Sequence, residues 1–293
     1  MSKRTTGFVF AILDMITYGL LPVVSHYFVA TIDPLVFSGA ATLIGSLPLL
    51  VWQYRKKTIH QLYSRTYFPN LMGLAMLTTV ASICYFFGTR LTSGLNTGLL
   101  TQMEPLYALA IGIFILHEAV GIHQILAVLL MMVGAIVIVY KGATGLNIGD
   151  ILILSSPLAS QLSHLFAKRV YAEKADTNVV PLARMLYSGI LLLVIAAAIN
   201  PTSLFQLFSL KTLIIVTTFG LIFRFLDLLL WYQAIARISI SKASSVIPLA
   251  VAVSLIGSLV FLKETVSSHQ LIGLFFILGG LLWLSKIHLS EGK

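Results

Sequence analysis

Charge is what this chain has least of. Asp, Glu, Lys and Arg make up 10% of its 293 residues, against about 25% in an average soluble domain. A chain of this length has room for roughly two soluble domains, but too few charges to cover their surfaces. Cysteine is nearly absent: Cys84 stands alone, which excludes an internal disulfide and says little about redox compartment. The catalytic signatures legible in one sequence are missing too, with no G-x-x-x-x-G-K-[ST], no H-E-x-x-H and no G-x-S-x-G. ATP-driven pumping would therefore need a partner subunit, and neither a cofactor nor a metal is expected.

What the chain does have is apolar length. Hydrophobic residues make up 58% of it and the mean hydropathy is +0.97, so the solvent for most of it must be lipid. Crossing about 30 Å of hydrocarbon takes about 20 mainly apolar residues. Ten segments answer to this, at 7–29, 34–53, 69–89, 95–116, 122–140, 148–169, 179–199, 211–235, 242–262 and 268–287. The expected class is an all-α integral membrane protein with ten transmembrane helices. The first run follows Lys3 and Arg4 but is too long for a signal peptide, holds Asp14 and Tyr18, and precedes no A-x-A site. It reads as a retained helix.

Lys and Arg set the orientation. With the N-terminus inside, the inner joints and tails hold thirteen of them and the outer joints four, Arg90, Lys141, Lys211 and Lys263. Both termini are therefore expected in the cytoplasm, and the net charge of +9 is a topological signal, giving nucleic-acid binding no support.

The chain repeats itself. "YFFGTRLTSGLNTGLL" (85–100) aligns with "WYQAIARISISKASSV" (231–246) at a shift of 146, which also sets Glu118 on Glu264, Gln124 on Gln270 and Gly134 on Gly280. "IDPLVF" (32–37) aligns with "VVPLAR" (179–184) at 147. Five spans per half force the halves, residues 1–143 and 144–293, into opposite senses in the membrane. Such inverted repeats are a transporter plan with the site near mid-bilayer.

The repeated "Y-x-x-(G/A)…N/S-x-(G/A)…P…(H/K)-E…Q-x-x-(A/G)" pattern resembles the EamA-type members of the drug/metabolite transporter superfamily, over about residues 7–140 and 148–286. The resemblance implies ten helices, cytoplasmic termini, alternating access and export of amino acids or other small metabolites. It also implies a central cavity surrounded by helices 1, 3, 4, 6, 8 and 9. Arg184 matches a basic position common after the second helix of each repeat, where the first half has Phe37 instead. The prolines fall out of register: Pro105 aligns with Val251, and Pro248 with Gln102.

Helical spacing selects polar faces independently of that resemblance. They read Asp14 and Tyr18 in the first span, Thr78, Ser82 and Tyr85 (with Thr89) in the third, and Thr101 and Glu104 (with Thr97) in the fourth. The sixth offers Ser156 with Ser160 and Ser163, and the eighth Arg224, Asp227 and Trp231; Arg184 joins them as the other basic residue within a span. These twelve, from Asp14 to Trp231 and leaving aside the parenthetical threonines and the two further serines, are the candidate substrate-binding residues. Glu104 is followed at once by Pro105, whose missing N–H leaves the Thr101 carbonyl without its helical donor. Arg224 and Asp227, three apart, would sit about 60° apart on a regular helix and could pair. Asp14 is a candidate proton-coupling carboxylate. Tyr85 and Trp231, repeat partners, could stack on a substrate. His26 and His164 read as interfacial hydrogen-bond formers, and Glu118 and Glu264 as helix-end structure. Spans five and ten are polar only at their ends, which suits lipid-facing helices or a homodimer.

These readings converge on a secondary transporter of the cytoplasmic membrane, an exporter or exchanger of a small organic metabolite such as an amino acid, with proton coupling an open option. An intramembrane lipid-modifying enzyme is the alternative; it would gather acids and histidines at one membrane surface, whereas here the acids are scattered.

Overall fold

A computed structural model of the chain describes residues 3–117, 120–140, 147–239, 242–243 and 245–291. Among them every regular element is helical. In order they are α1 (Lys3–Val29), α2 (Pro34–Arg55), α3 (Phe68–Leu91), α4 (Gly94–Leu100), α5 (Glu104–Phe114), α6 (Ile122–Val139), α7 (Ile148–Ala172), α8 (Val179–Ile199), α9 (Leu210–Gly220), α10 (Asp227–Ile235), α11 (Ala250–Gly257) and α12 (Ser268–Glu291). Local chemistry sets their starts. The Asp33 carboxylate accepts the N–H groups of Leu35 and Val36 at 2.9 and 3.2 Å, and Pro34 opens α2 where no N–H is needed. The Ser93 hydroxyl likewise accepts the Asn96 N–H at the start of α4.

Among the described residues, seven helical stretches are long and apolar enough to cross a bilayer: Thr5–Val29, Pro34–Arg55, Phe68–Leu91, Ile122–Val139, Val179–Ile199, Leu210–Ile235 and Ser268–Ile287. Ile247–Leu262 is apolar but shorter. The departures from the expected spans have local causes. The fourth is broken: a 3-10 turn, Thr101–Met103, separates α4 from α5. The sixth, α7, is long enough but diluted by Asp150, Lys168, Arg169 and a series of serines. The eighth carries a π-helical turn, Leu221–Leu226, between α9 and α10. In the ninth a 3-10 turn, Ile247–Leu249, precedes α11 and a π-turn, Ser258–Leu262, follows it. The two 3-10 turns are related by the repeat shift of 146, although the prolines beside them are not.

The chain forms two compact units. One comprises Met1–Tyr27, Gly88–Pro157 and Asp227–Lys293, the other Phe28–Phe87 and Leu158–Leu226. Each draws on both halves of the sequence.

In the first unit α6 and α12 pack along their length. A Cβ on Gly134 would lie 2.7 Å from the Gly273 carbonyl oxygen, and one on Gly280 would lie 2.6 Å from that of Ala127. The shift of 146 exchanges these two contacts, so the crossing is built twice from the same device, backbone against backbone where side chains are missing. The opposite face of α6 exposes Ile122, Leu126, Leu129, Val133 and Ile136, a stripe at i, i+4, i+7, i+11 and i+14 suited to lipid.

In the second unit α2 packs on α8 and α9. Gly45 meets Gly220 where α2 touches α9. Phe37 sits at the centre, its ring 4.7 Å from Phe219 and 5.7 Å from Phe86, with Phe28 at 6.0 Å. Offset and edge-on aromatic pairs of this kind add about 0.5–1.5 kcal/mol each beyond area burial.

Candidate functional site

The candidate residues divide between the units. Asp14, Tyr18, Thr101, Glu104, Ser156, Asp227 and Trp231 belong to the first; Thr78, Ser82, Tyr85, Arg184 and Arg224 belong to the second.

In the first unit two acids come together that are far apart in sequence. Asp14 on α1 is 7% exposed, and Asp227, the first residue of α10, acts on it electrostatically. Thr17 joins α1 to α10: its hydroxyl lies 2.7 Å from Asp227 Oδ1 and, on its own helix, 2.8 Å from the Asp14 main-chain oxygen. Trp231 packs one turn further along α10 against Ala11, Ala234, Ile238 and Ala243, so its indole is part of a packed cluster. Tyr18 is half-buried on α1 and Ser156 buried on α7.

Glu104 and Pro105 are a helix start. Glu104 opens α5 with its acidic side chain in the first turn, where the helix dipole favours negative charge, and Pro105 follows where a missing N–H costs nothing. The Thr101 carbonyl, deprived of its regular donor, receives the Glu104 N–H through the 3-10 turn instead. The Thr101 hydroxyl donates back to the Thr97 carbonyl at 2.8 Å. The proline thus redirects a span whose backbone remains bonded.

In the second unit Arg184 reaches from α8 to α7, donating to the Ser160 hydroxyl at 2.8 Å and lying 3.3 Å from His164 Nε2. His164, read from sequence as an interfacial group, is therefore a neighbour of the intramembrane arginine. Thr78 donates to the Leu74 carbonyl at 2.8 Å within α3, and Ser82 is buried one turn on. The Tyr85 ring stands edge-on to Phe86 at 5.0 Å, and the Arg224 guanidinium lies 5.4 Å from that same Phe86 ring, a cation–π contact. The expected 60° between Arg224 and Asp227 is corrected here. Arg224 lies in the π-turn and Asp227 begins the α-helix after it, so the regular-helix rotation does not apply between them.

A profile of the EamA-like transporter family matches residues 5–140 and 147–286. The chain belongs to the EamA-like transporter family. Proteins similar to it include two of Bacillus subtilis (strain 168) named as uncharacterized transporters, YetK and YvbV. Each is 25% identical, over 96% of this chain and 87% of YetK, and over 94% of this chain and 90% of YvbV. An uncharacterized transporter of Methanothermobacter thermautotrophicus is 20% identical over 97% of this chain and 88% of its own. A solved crystal structure 15% identical in sequence superposes with a TM-score of 0.67 over 99% of this chain and all of its own, which speaks for the fold alone. This EamA-like chain is thus a multi-pass membrane protein of a transporter family.

Further polar contacts in this EamA-like chain were not selected from sequence. Asp150, fully buried at the start of α7, accepts the Thr92 hydroxyl and the Asn96 side-chain amide at 2.9 Å, and Gln270 on α12 donates to Asn96 Oδ1 at 2.7 Å. Thr92, Asn96 and Gln270 also line a cavity of about 480 Å³, together with Asn147, Ser267 and His269, which none of the twelve candidates lines. The available signal was an acid two residues into an apolar run, in "NIGDILIL". Glu264 has the helix-end role expected of it: its two carboxylate oxygens accept the N–H groups of Gly94 and Leu95 at 2.7 and 2.9 Å, and His26 Nε2 lies 3.9 Å from Oε1. His26 Nδ1 meets the Thr89 carbonyl at 2.7 Å. Glu118, the repeat partner of Glu264, lies outside the described residues.

Proposed function

We propose that this chain is a secondary transporter of the cytoplasmic membrane that exports or exchanges a small organic metabolite, an amino acid or a related compound, by alternating access. The chain crosses ten times as two inverted repeats, residues 1–143 and 144–293, with both termini in the cytoplasm. The observation that carries the reading is charge of both signs inside apolar helices of a transporter-family member: Asp14, Glu104 and Asp227 against Arg184 and Arg224. Each such group costs about 2.5–3.5 kcal/mol at the centre of a bilayer helix by insertion measurements. Residues kept at that cost mark a solute path, and the mixture of signs suits a zwitterion.

Alternating access also requires places where the chain can bend. The chain passes between the compact units at four points, inside α1 after Tyr27, inside α3 after Phe87, inside α7 after Pro157 and at the end of the π-turn before Asp227. At the last two the regular helical hydrogen-bond ladder is interrupted, which supports the reading.

The test is counterflow into liposomes holding the purified full chain, with separate labelled pools of amino acids, nucleosides and polyamines. Exchange confined to the amino-acid pool is the expected result. Liposomes that move none of the pools while a bilayer lipid is chemically converted would overturn the reading in favour of an intramembrane enzyme.

A further inference from the structure

We propose that Arg184 binds the carboxylate of the solute, its guanidinium plane set by Ser160 and His164, so that this transporter selects solutes by their acid group. The proposal rests on the transporter reading above and adds the chemical class of the solute and the residues that recognise it.

The site lies within the second unit. Arg184 is the sixth residue of α8, about 8 Å along the axis from its start. On α7, Ser160 and His164 stand four residues apart, one turn of one helix face. Arg184 Nη2 donates to the Ser160 hydroxyl at 2.8 Å, and Nη1 lies 3.3 Å from His164 Nε2. A guanidinium only donates, so Nε2 is the accepting nitrogen and the ring proton sits on Nδ1. Nδ1 in turn lies 3.3 Å from Gln161 Oε1, an acceptor that suits it. Side chains of a single α7 turn thus orient the guanidinium.

A guanidinium fork fits a carboxylate in two parallel hydrogen bonds, a match that a point charge does not offer. Each terminal nitrogen of Arg184 has a second N–H besides the one directed at α7, so the orientation set by Ser160 and His164 is compatible with such a pair. Arg184 is half-buried and His164 exposed, so the cluster stands at the edge of packed protein. A charge kept within a span at such an edge belongs on a water-filled path.

The charged groups of the second unit frame the site. Its acids stand at the joints: Asp33 caps α2, Asp176 is engaged by Gln53 and Lys56, and Glu173 follows the end of α7. Lys168 lies one turn beyond His164 on the same α7 face, and Arg224 stands beside Phe86. In the repeat, Ser160 aligns with Asp14 and Arg184 with Phe37. The first half therefore has an acid and a ring where the second has a hydroxyl and a cation, and the equivalent pairs carry opposite charge. That suits the amino and carboxyl ends of one solute. The start of α8 follows a joint assigned to the cytoplasm, so the acid group is taken up where an exporter loads.

The test is competition in counterflow, paired with thermal stabilisation of the purified full chain, using amino acids and their α-carboxamides as matched probes. Wild type should prefer the acid to the amide roughly tenfold or more, the worth of a hydrogen bond to a charged group. Arg184→Met should bring the two together. Ser160→Ala and His164→Ala keep the cation but release its plane, and should shrink the preference without abolishing stabilisation. If Arg184→Met fails to fold, those two variants decide, since a merely structural role lowers stability and leaves the acid-to-amide ratio alone. An unchanged ratio in the deciding variants, or stabilisation by no carboxylate, would overturn the proposal. Stabilisation by phosphatidylglycerol alone would also overturn it and give the guanidinium to a lipid phosphate. Acid-selective stabilisation, lost in Arg184→Met, in a chain that moves no solute would uphold the site and count against the transporter reading alone.

Discussion

Two adjacent glycines on α12 offer a controlled test of how α6 and α12 pack. A Cβ on Gly280 would lie 2.4 Å from Met131 Cγ and 2.6 Å from the Ala127 carbonyl oxygen. The methionine can move, but the carbonyl belongs to the α6 backbone and cannot retreat without the helix. A Cβ on Gly279 would meet only Leu130 Cδ2, at 3.5 Å, an ordinary contact. Gly→Ala inside a helix gains about 0.5–1 kcal/mol in backbone entropy, and that gain is common to Gly279→Ala and Gly280→Ala. Their difference therefore isolates the steric term, about 1–3 kcal/mol for overpacking a close contact, or roughly 5–150-fold in the folded fraction. Gly134→Ala, the repeat-related contact at 2.7 Å from the Gly273 carbonyl, should match Gly280→Ala. The assay is reversible unfolding of the purified chain in mixed micelles, followed by helical circular dichroism. Equal stability of the Gly279 and Gly280 variants, within about 0.5 kcal/mol, would refute the packing argument, since experimental uncertainty alone would account for so small a gap.

Single cysteines at Lys57 and Lys174 in a Cys84→Ser background should react only from the cytoplasmic side, and one at Lys263 only from outside; labelling of position 263 from the cytoplasm alone breaks the ten-crossing topology. Glu104→Gln should change transport or its pH dependence at nearly normal protein abundance, and normal transport at every pH removes Glu104 from the site. At the joint between α7 and α8, burial raises the Asp176 carboxyl, but the Asn178 N–H, Gln53 and Lys56, 3.2 Å away, together hold it below the ordinary value of 3.8. Its contribution is then present above pH 3.8 and lost as pH falls through the lower folded value. Asp176→Asn should remove that acid dependence in a thermal-shift series, while Lys56→Ala should cost only about 0.2–1 kcal/mol, as a surface pair does.

The helices were legible because hydropathy and length mark them, and the 3-10 and π interruptions were not. A period of 3.6 residues cannot distinguish an α-turn from its neighbours in so apolar a run. Glu104–Pro105 shows the cost: the pair carries an ordinary helix-start signal, overridden in the reading by the apolar length around it. At the site, periodicity selected Asp14 and Tyr18 on one face of α1 but passed over Thr17, three residues from Asp14, because its significance comes from Asp227, 210 residues away. The Arg184 contacts with Ser160 and His164 were invisible for the same reason, since helix faces can be read from one sequence but the helix that meets them cannot. Gly134 and Gly280 were aligned by the repeat, yet alignment alone did not say that their helices touch.

The repeat separates scaffold from chemistry. Positions related by the shift of 146 share backbone devices: the 3-10 turns at 101–103 and 247–249, the left-handed residues His117 and Lys263, the glutamines Gln124 and Gln270 that cap α6 and α12, and the glycine contacts of the α6–α12 crossing. The intramembrane charges do not repeat. At that shift Asp14 aligns with Ser160, Glu104 with Ala250, Arg224 with Thr78 and Asp227 with Ala81, while at 147 Arg184 aligns with Phe37. A charge needed only to hold this fold would be wanted in both copies, as the caps and glycines are. Charges present in one copy break a symmetry that packing does not ask to be broken, at a few kcal/mol each in a bilayer. A solute with unlike ends, as proposed above, would require that asymmetry.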